Sequence, residues 1–188
     1  MKVYFDNAAT TPMRNEVIEL MTQSMSSTYG NPSSTHGFGR SAKSLIETAR
    51  KSVAKHLNCE PQEIIFTSGG TESDNMVLRS AAKKLNIRTF ISSKVEHHAV
   101  LHALDELEKE GLNICYVDLD ENGSPKLNHL ESLLMADDSI KLVSLMHINN
   151  EIGNILDIEK VGKLCKAHGA YFHTDAVQGV GHFSFDLQ

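Results

Sequence analysis

Asp175 and Gln178 are the first residues whose types and position suggest chemistry. They follow residues 170–173, Ala-Tyr-Phe-His, an apolar stretch that predicts a buried strand. Open α/β sheets bind their ligands at the carboxyl ends of strands, so a carboxylate there could pair with a protonated ring nitrogen. Asp175 could also cap the following turn, which is a common use of aspartate.

A Gly-rich turn at residues 68–71, Ser-Gly-Gly-Thr, separates a predicted strand from a predicted helix. Glycines let the backbone approach a ligand closely, and the free N–H groups at the start of a helix attract phosphate. The turn lacks the lysine of a P-loop and the spacing of a dinucleotide fingerprint. Gly70 and Thr71 therefore form either a phosphate cradle or a simple tight turn.

Two further strand ends carry polar side chains. His97 follows the strand predicted at residues 88–92, and its imidazole could stack on a planar ligand or cap the next helix. Asn149 and Asn150 follow the strand predicted at residues 141–146. Paired asparagines before a glycine form a turn by default, and here they also present two amide groups to the end of a strand.

The predicted elements place these strand ends on one edge of a sheet. Helices are expected at residues 13–25, 38–57, 71–85, 98–110, 127–135 and 157–168, and strands at residues 63–67, 88–92, 113–117, 141–146 and 170–173. Strands separated by helices pair in parallel through right-handed crossovers. The predicted fold class is α/β, a largely parallel sheet of at least five strands with flanking helices.

Because four predicted strand ends meet at one edge, a single ligand explains their polar residues better than four separate structural roles do. A phosphate would suit the Gly-rich turn, a flat ring would suit His97, and a protonated nitrogen would suit Asp175. Pyridoxal 5'-phosphate (PLP) has all of these parts, so we predict a PLP site at this edge.

Composition excludes other classes of partner. The chain has 188 residues, 40% of them hydrophobic, and a net charge of −6 without a basic block. These values predict one globular domain and argue against nucleic acid or an anionic membrane as its main partner. No apolar run approaches the roughly 20 residues that span a bilayer, and no signal peptide is evident. A cytoplasmic location is expected.

The cysteines and histidines do not predict a metal site or disulfides. Cys59, Cys115 and Cys165 are widely spaced and odd in number, so all three are expected to be reduced, with Cys115 and Cys165 buried. His98 and His102 have the spacing of two ligands on one helix face, but no carboxylate or cysteine completes a set.

Taken together, the motifs resemble those of the class V aminotransferase-like PLP enzymes, and within them the cysteine desulfurases of the NifS/IscS type. The matching segments run in order along essentially the whole chain: residues 4–12 (Tyr-Phe-Asp-Asn-Ala-Ala-Thr-Thr-Pro), 30–36 (Gly-Asn-Pro-Ser-Ser-Thr-His), 66–75 (Phe-Thr-Ser-Gly-Gly-Thr-Glu-Ser-Asp-Asn), 96–97 (Glu-His), 149–153 (Asn-Asn-Glu-Ile-Gly) and 173–178 (His-Thr-Asp-Ala-Val-Gln). The combination is highly specific, although each segment alone is not.

The resemblance implies a role for each candidate residue. Gly70 and Thr71 would hold the cofactor phosphate. His97 would stack on the pyridine ring and move protons, and Asp175 would pair with the ring nitrogen. Gln178 would bind the phenolic oxygen of the ring. Asn150 would bind that oxygen or the carboxylate of the substrate.

The resemblance also implies a fold and an activity. The fold is that of the fold type I PLP-dependent transferases, with residues 16–188 forming a large cofactor domain that is incomplete at its C-terminal end. Residues 1–15 would pack with a small domain that is missing. The family converts L-cysteine to L-alanine and keeps the sulfur as a persulfide for iron–sulfur cluster or thio-cofactor assembly, so a sulfur-acceptor protein and a homodimer are the implied partners.

Some groups that the resemblance requires have no counterpart in this sequence. No lysine follows Lys166, and none of the three cysteines matches the position of the family's nucleophile. The Schiff-base lysine and the nucleophilic cysteine are therefore expected to be missing, and the chain alone is expected to be inactive. Two alternatives stay open: another class V enzyme, such as a selenocysteine lyase or an aminotransferase, or a non-catalytic half that acts with a partner chain.

Overall fold

The computed structural model describes all 188 residues and divides the chain into two compact units. We call Met1–Phe66 together with Phe183–Gln188 the terminal unit, and Thr67–His182 the sheet unit. The division into residues 1–15 and 16–188 concerns packing against a further domain, so it stays a prediction.

The terminal unit contains two helices, α1 (Asn15–Ser27) and α2 (Gly37–Leu57), followed by a 3-10 turn at Pro61–Glu63. The side chain of His36 caps the start of α2, and Asn58 ends the helix in the left-handed conformation with φ 51°. Although α2 is the longest helix, neither it nor any other helix is long and apolar enough to cross a bilayer.

The strand predicted at residues 63–67 does not form, so the prediction of at least five strands was wrong. The Glu63 carboxylate instead accepts a hydrogen bond from the backbone N–H of Glu60 at 2.8 Å, which closes the 3-10 turn. The carbonyl oxygen of Ile64 accepts a hydrogen bond from the Arg50 guanidinium. The Arg50 side chain thus bonds to a backbone carbonyl group that would otherwise pair with a neighbouring strand.

The sheet unit alternates helices and strands. In chain order its elements are α3 (Gly70–Lys84), β1 (Thr89–Ser92), α4 (His98–Lys109), β2 (Asn113–Tyr116), α5 (Leu127–Leu134), β3 (Lys141–Ser144), α6 (Ile158–Ala167) and β4 (Tyr171–His173). The four strands pair in parallel in the order β2-β1-β3-β4. The α/β class and the parallel pairing predicted from the sequence are confirmed.

The core lies on both faces of the two central strands. Every residue of β1 and β3 is buried, as expected for parallel strands covered by helices on each side. Phe90 of β1 packs with residues of α3 and α4, whereas its neighbour Ile91 packs with residues of α5 and α6. Cys165 is buried in the second cluster as predicted, but Cys115 is only half-buried.

The strand order defines where a ligand should bind. From β1 the chain continues to β2 on one side, and it then crosses to β3 on the other side of β1. The carboxyl ends of β1 and β3 therefore flank the topological switch point, which is where open α/β sheets bind their ligands.

Candidate active site

The Gly-rich turn leads directly into α3. Gly69 has an extended backbone, with φ 163° and ψ 178°, and the helix begins at Gly70. Glu72 bonds back to the turn, because its Oε2 accepts hydrogen bonds from the backbone N–H of Ser68 at 2.6 Å and from the hydroxyl of Ser68 at 2.7 Å. These two bonds lower the pKa of Glu72 and hold the turn closed.

The start of α3 offers open backbone donors. Within the helix, the first backbone N–H group with an acceptor is that of Ser73, which donates to the carbonyl oxygen of Gly69 at 3.1 Å. The N–H groups of Gly70 and Thr71 therefore remain for a ligand or for water. A Cβ atom built on Gly70 would lie 3.0 Å from Val177 Cγ2, so glycine here lets the segment after β4 approach the helix start closely.

His97 takes the capping role that the sequence left open. It is the N-cap residue of α4, where its Nδ1 accepts a hydrogen bond from the backbone N–H of Ala99 at 3.1 Å. Its side chain is nevertheless exposed. Because the cap uses only one ring nitrogen, the face of the imidazole and its Nε2 remain accessible.

Asn149 and Asn150 differ in burial and in hydrogen bonding. Asn149 is buried; its Nδ2 donates to the carbonyl oxygen of Val95 at 2.6 Å, and its Oδ1 accepts from the N–H groups of Glu151 and Ile152 at 2.8 and 3.0 Å. Asn150 is half-buried, and its Nδ2 donates only to Glu151 Oε1 at 3.1 Å. Asn149 therefore holds the turn together, whereas Asn150 is able to meet a ligand.

Asp175 is buried at the end of β4 and keeps one carboxylate oxygen uncommitted. Its Oδ1 accepts a hydrogen bond from the backbone N–H of Val177 at 3.0 Å, so it does close the following turn. Its carbonyl oxygen accepts from the N–H of His147 at 2.9 Å. No lysine or arginine pairs with its carboxylate. Gln178 lies half-buried in the same turn.

Contacts across the sheet unit bring these residues to one edge. Asp74 Oδ1 lies 3.5 Å from His173 Nε2, which joins the first turns of α3 to the end of β4. The side-chain amide of Asn75 donates to the carbonyl oxygen of Ala99 at 3.3 Å, which joins α3 to the start of α4. The start of α3 thus lies beside the segments that carry Asp175 and His97.

Glu96 is a member of this site that the sequence marked only as a neighbour of His97. It is buried, its Oε1 lies 2.6 Å from the Ser93 hydroxyl, and its Oε2 accepts from the N–H of Met146 at 2.8 Å. Burial, together with the negative charges of Asp175 and Asp74, raises its pKa to about 8 despite these bonds. A single sequence carries no signal for this, because glutamate is rarely buried.

Several polar side chains form a largely buried cluster next to the strand end that carries Asp175. His173 Nδ1 is 2.9 Å from the hydroxyl of Ser144, and the hydroxyl of Ser92 donates to the carbonyl oxygen of Ser144 at 2.9 Å. Asp74 is buried beside His173, and its Oδ2 has no hydrogen-bond partner. These side chains link β1, β3, β4 and α3 below the edge.

Replacing Ser144 with alanine tests this polar group. The change leaves His173 Nδ1 without its partner in a buried position, so we expect the free energy of unfolding to fall by about 1–2 kcal/mol in urea denaturation. Ser132→Ala is the matched control; it removes an exposed hydroxyl that bonds within its own helix and should change stability by less than about 0.5 kcal/mol. Equal effects of the two substitutions would contradict this role for Ser144.

The electrostatics of the edge favour a ligand with two different ends. The carboxylates of Asp74 and Asp175 both lie near Glu96 in the buried part, where a cationic group would be stabilised. The open N–H groups at the start of α3 favour an anion. The residues present therefore fit PLP, which carries a phosphate at one end and a protonated ring nitrogen at the other.

Comparison with known proteins gives a consistent result. The chain is 48% identical over 188 residues to the cysteine desulfurase IscS of Dictyoglomus turgidum, covering 99% of this chain and 47% of the relative. It is 44% identical over 188 residues to the cysteine desulfurase IscS of Methanosarcina thermophila, covering 99% of this chain and 46% of the relative. The chain spans about half the length of the curated relatives it matches.

Solved structures and a family profile agree with these relatives. A NifS-like protein superposes with a TM-score of 0.94 at 42% identity, covering 100% of this chain and 52% of that one. The structure described as SspA in complex with cysteine superposes with a TM-score of 0.91 at 33% identity, covering 97% and 53%. The profile of the family described as aminotransferase class-V matches residues 3–188. The chain therefore belongs to the class-V aminotransferase family.

Proposed function

We propose that this chain carries the cofactor-binding part of a PLP-dependent cysteine desulfurase, which converts L-cysteine to L-alanine and passes the sulfur on as a persulfide. The observation that carries the proposal is the buried Asp175 carboxylate, which keeps one oxygen free at an edge where no lysine or arginine pairs with it. The identity of nearly one half to cysteine desulfurases along the whole chain supports this activity over others of the family.

Gly70, Thr71 and Asp175 would bind the two ends of PLP. The free N–H groups of Gly70 and Thr71 would hold the phosphate, with the Thr71 hydroxyl as a further donor. The Asp175 carboxylate would hold a proton on the ring nitrogen, because an adjacent negative charge stabilises the protonated form. When bound, PLP supplies an electron sink for bond cleavage at the α-carbon of the substrate.

His97, Asn150 and Gln178 would orient the ring. The hydrogen bond from Ala99 fixes the His97 imidazole by its Nδ1, so the exposed ring face can stack on the cofactor while Nε2 moves a proton. Gln178 would donate to the phenolic oxygen of the ring. The Asn150 amide would bind that oxygen or the carboxylate of the substrate.

We infer that the Schiff-base lysine and the nucleophilic cysteine of this reaction are not among residues 1–188. A thiolate is the nucleophilic form of cysteine, and burial raises the pKa of Cys165 to about 11. Burial and the nearby carboxylates of Glu63 and Glu60 also raise the pKa of Cys59. No lysine pairs with Asp175, and none follows it in the sequence.

The remaining proposals follow from the proposed activity. We propose that the whole enzyme acts in the cytoplasm as a homodimer and delivers sulfur to an acceptor protein for iron–sulfur cluster or thio-cofactor assembly. The three free cysteines are compatible with a reducing compartment.

A hybrid enzyme tests the function. Residues 1–188 would replace the matching half of the Dictyoglomus turgidum desulfurase, and alanine and sulfide would be measured after addition of PLP and L-cysteine. We expect turnover by the hybrid and none by residues 1–188 alone. A folded hybrid that binds PLP but releases alanine only from L-selenocysteine would favour a lyase, and turnover by residues 1–188 alone would contradict the inferred absence of the two catalytic groups.

A further inference from the structure

Glu96 clamps the turn that carries His97 to the end of the neighbouring strand. The turn from Ser93 to His97 follows β1, and Glu96 Oε2 accepts the backbone N–H of Met146, just after β3, at 2.8 Å. Its Oε1 bonds to the Ser93 hydroxyl at 2.6 Å, within the same turn. Glu96 therefore joins the two strand ends that flank the topological switch point.

Glu96 has no cationic partner in this position. It makes no ion pair, and only 6% of its surface is exposed. The titratable groups on the surrounding elements are carboxylates or histidines: Asp175 after β4, Asp74 on α3 with its partner His173 on β4, Asp157 at the start of α6, His147 after β3, and His97 at the start of α4. Burial lowers the pKa of His147, which disfavours its positively charged form. Lys94, in the same turn, lies over the ring of Tyr116 instead.

A neutral carboxylic acid satisfies both hydrogen bonds of Glu96. The Ser93 hydroxyl donates to Oε1 and the Met146 N–H group donates to Oε2. A neutral acid can keep both bonds, because protonation of Oε1 only reverses the direction of the bond to the Ser93 hydroxyl. A charged carboxylate would add a second negative charge close to Asp175 without a counter-ion. The two hydrogen bonds are therefore compatible with the neutral form, and burial beside Asp175 without a counter-ion favours it.

The clamp bears directly on the proposed cofactor ring. His97 is the next residue, and its ring is held by the hydrogen bond that caps α4. The position of the ring therefore depends on how firmly the preceding turn is held. We propose that Glu96 is a positioning residue: as a neutral, hydrogen-bonded acid it holds the His97 turn against the end of β3 and leaves the negative charge at the ring to Asp175. This inference rests on the proposed PLP site.

The protonation state can be measured without cofactor. In purified protein labelled with 13C at the glutamate carboxyl carbon, one signal should titrate with a midpoint near pH 8 and should be absent from Glu96→Gln. A Glu96 signal that titrates at the ordinary midpoint of a glutamate, about pH 4 to 5, would overturn the neutral form.

The clamp is tested by comparing Glu96→Gln with Glu96→Ala. Glutamine can keep both hydrogen bonds, so we expect the 15N signals of the His97 imidazole and the dissociation constant for PLP to stay within about twofold of the original protein. Alanine removes both bonds, so we expect shifted His97 signals and PLP binding weaker by about tenfold. The His97 signals would be assigned by their loss in His97→Asn.

Ser93→Ala provides a second test in case Glu96→Ala does not fold. It removes one of the two hydrogen bonds and should shift the His97 signals in the same direction by a smaller amount. Unchanged His97 signals in the folded variants that lack one or both bonds would overturn the positioning role. A glutamine variant that behaves like alanine would show that the charge is needed and would also overturn it. The His97 signals are read without PLP, so a failure of the hybrid enzyme to bind PLP would contradict the proposed function and leave this test intact.

Discussion

Raising the pH from about 5 to about 8 should lower the free energy of unfolding by about 3–4 kcal/mol through Glu96 alone. Burial raises the pKa of this carboxyl from 4.5 to about 8 in the folded protein. The stabilising effect is therefore complete below about pH 4.5, where both states are protonated, and it is lost as the pH rises through about 8. Between these values the slope is about −1.4 kcal/mol for each pH unit, because only the unfolded state has released the proton.

Glu96→Gln is the matched control for this prediction. Glutamine keeps the shape of the neutral acid but does not titrate, so the contribution of Glu96 to the pH dependence should vanish. Urea denaturation at several pH values would give the free energies of unfolding. We expect the difference between the two proteins to move in favour of the variant by about 3–4 kcal/mol from about pH 5 to about pH 8. Parallel curves for the two proteins would contradict the buried neutral acid.

Asp175→Asn should weaken PLP binding by about 100-fold or more. The substitution removes the negative charge that would hold the proton on the ring nitrogen, and hydrogen bonds to charged groups are the strong ones. Asparagine can still accept the Val177 N–H bond through its Oδ1, so the turn after β4 should remain closed. Equilibrium dialysis against PLP at constant pH would measure the loss.

Urea denaturation separates this effect from a loss of folding. We expect Asp175→Asn to be at least as stable as the original protein, because it removes a buried charge that has no cationic partner. Asp186→Asn serves as the matched control, since Asp186 is exposed in the terminal unit and should not affect the PLP dissociation constant. Unchanged PLP affinity in Asp175→Asn would remove the residue from the site.

Much of the fold could be predicted because its signals are local and repeated. The apolar run at residues 141–146 and the helical spacing of Val161, Leu164 and Cys165 identify β3 and α6 within a few residues. The strand expected at residues 63–67 had an equally apolar pattern. It failed because Arg50 and the bond between Glu63 and Glu60 use its polar groups, and such contacts leave no periodic trace in the sequence.

The position of the candidate site could be predicted from the sequence, but the different roles of its residues could not. The positions of Asp175 and His97 followed from the rule that strand ends meet at one edge of a parallel sheet. The sequence did not distinguish Asn149, which is buried and holds its turn, from Asn150, which is accessible. It also gave no sign that Glu96 is buried, because burial of a charged side chain depends on tertiary packing.

The protonation state of the bound cofactor tests the central claim most directly. PLP labelled with 15N in the ring would be added to the hybrid that carries residues 1–188, and the nitrogen signal would be followed by NMR. We predict a protonated ring nitrogen over the whole pH range in which the protein is folded, and loss of that proton at a lower pH in Asp175→Asn. A bound ring whose nitrogen is unprotonated at neutral pH, or is protonated equally in both proteins, would contradict the account.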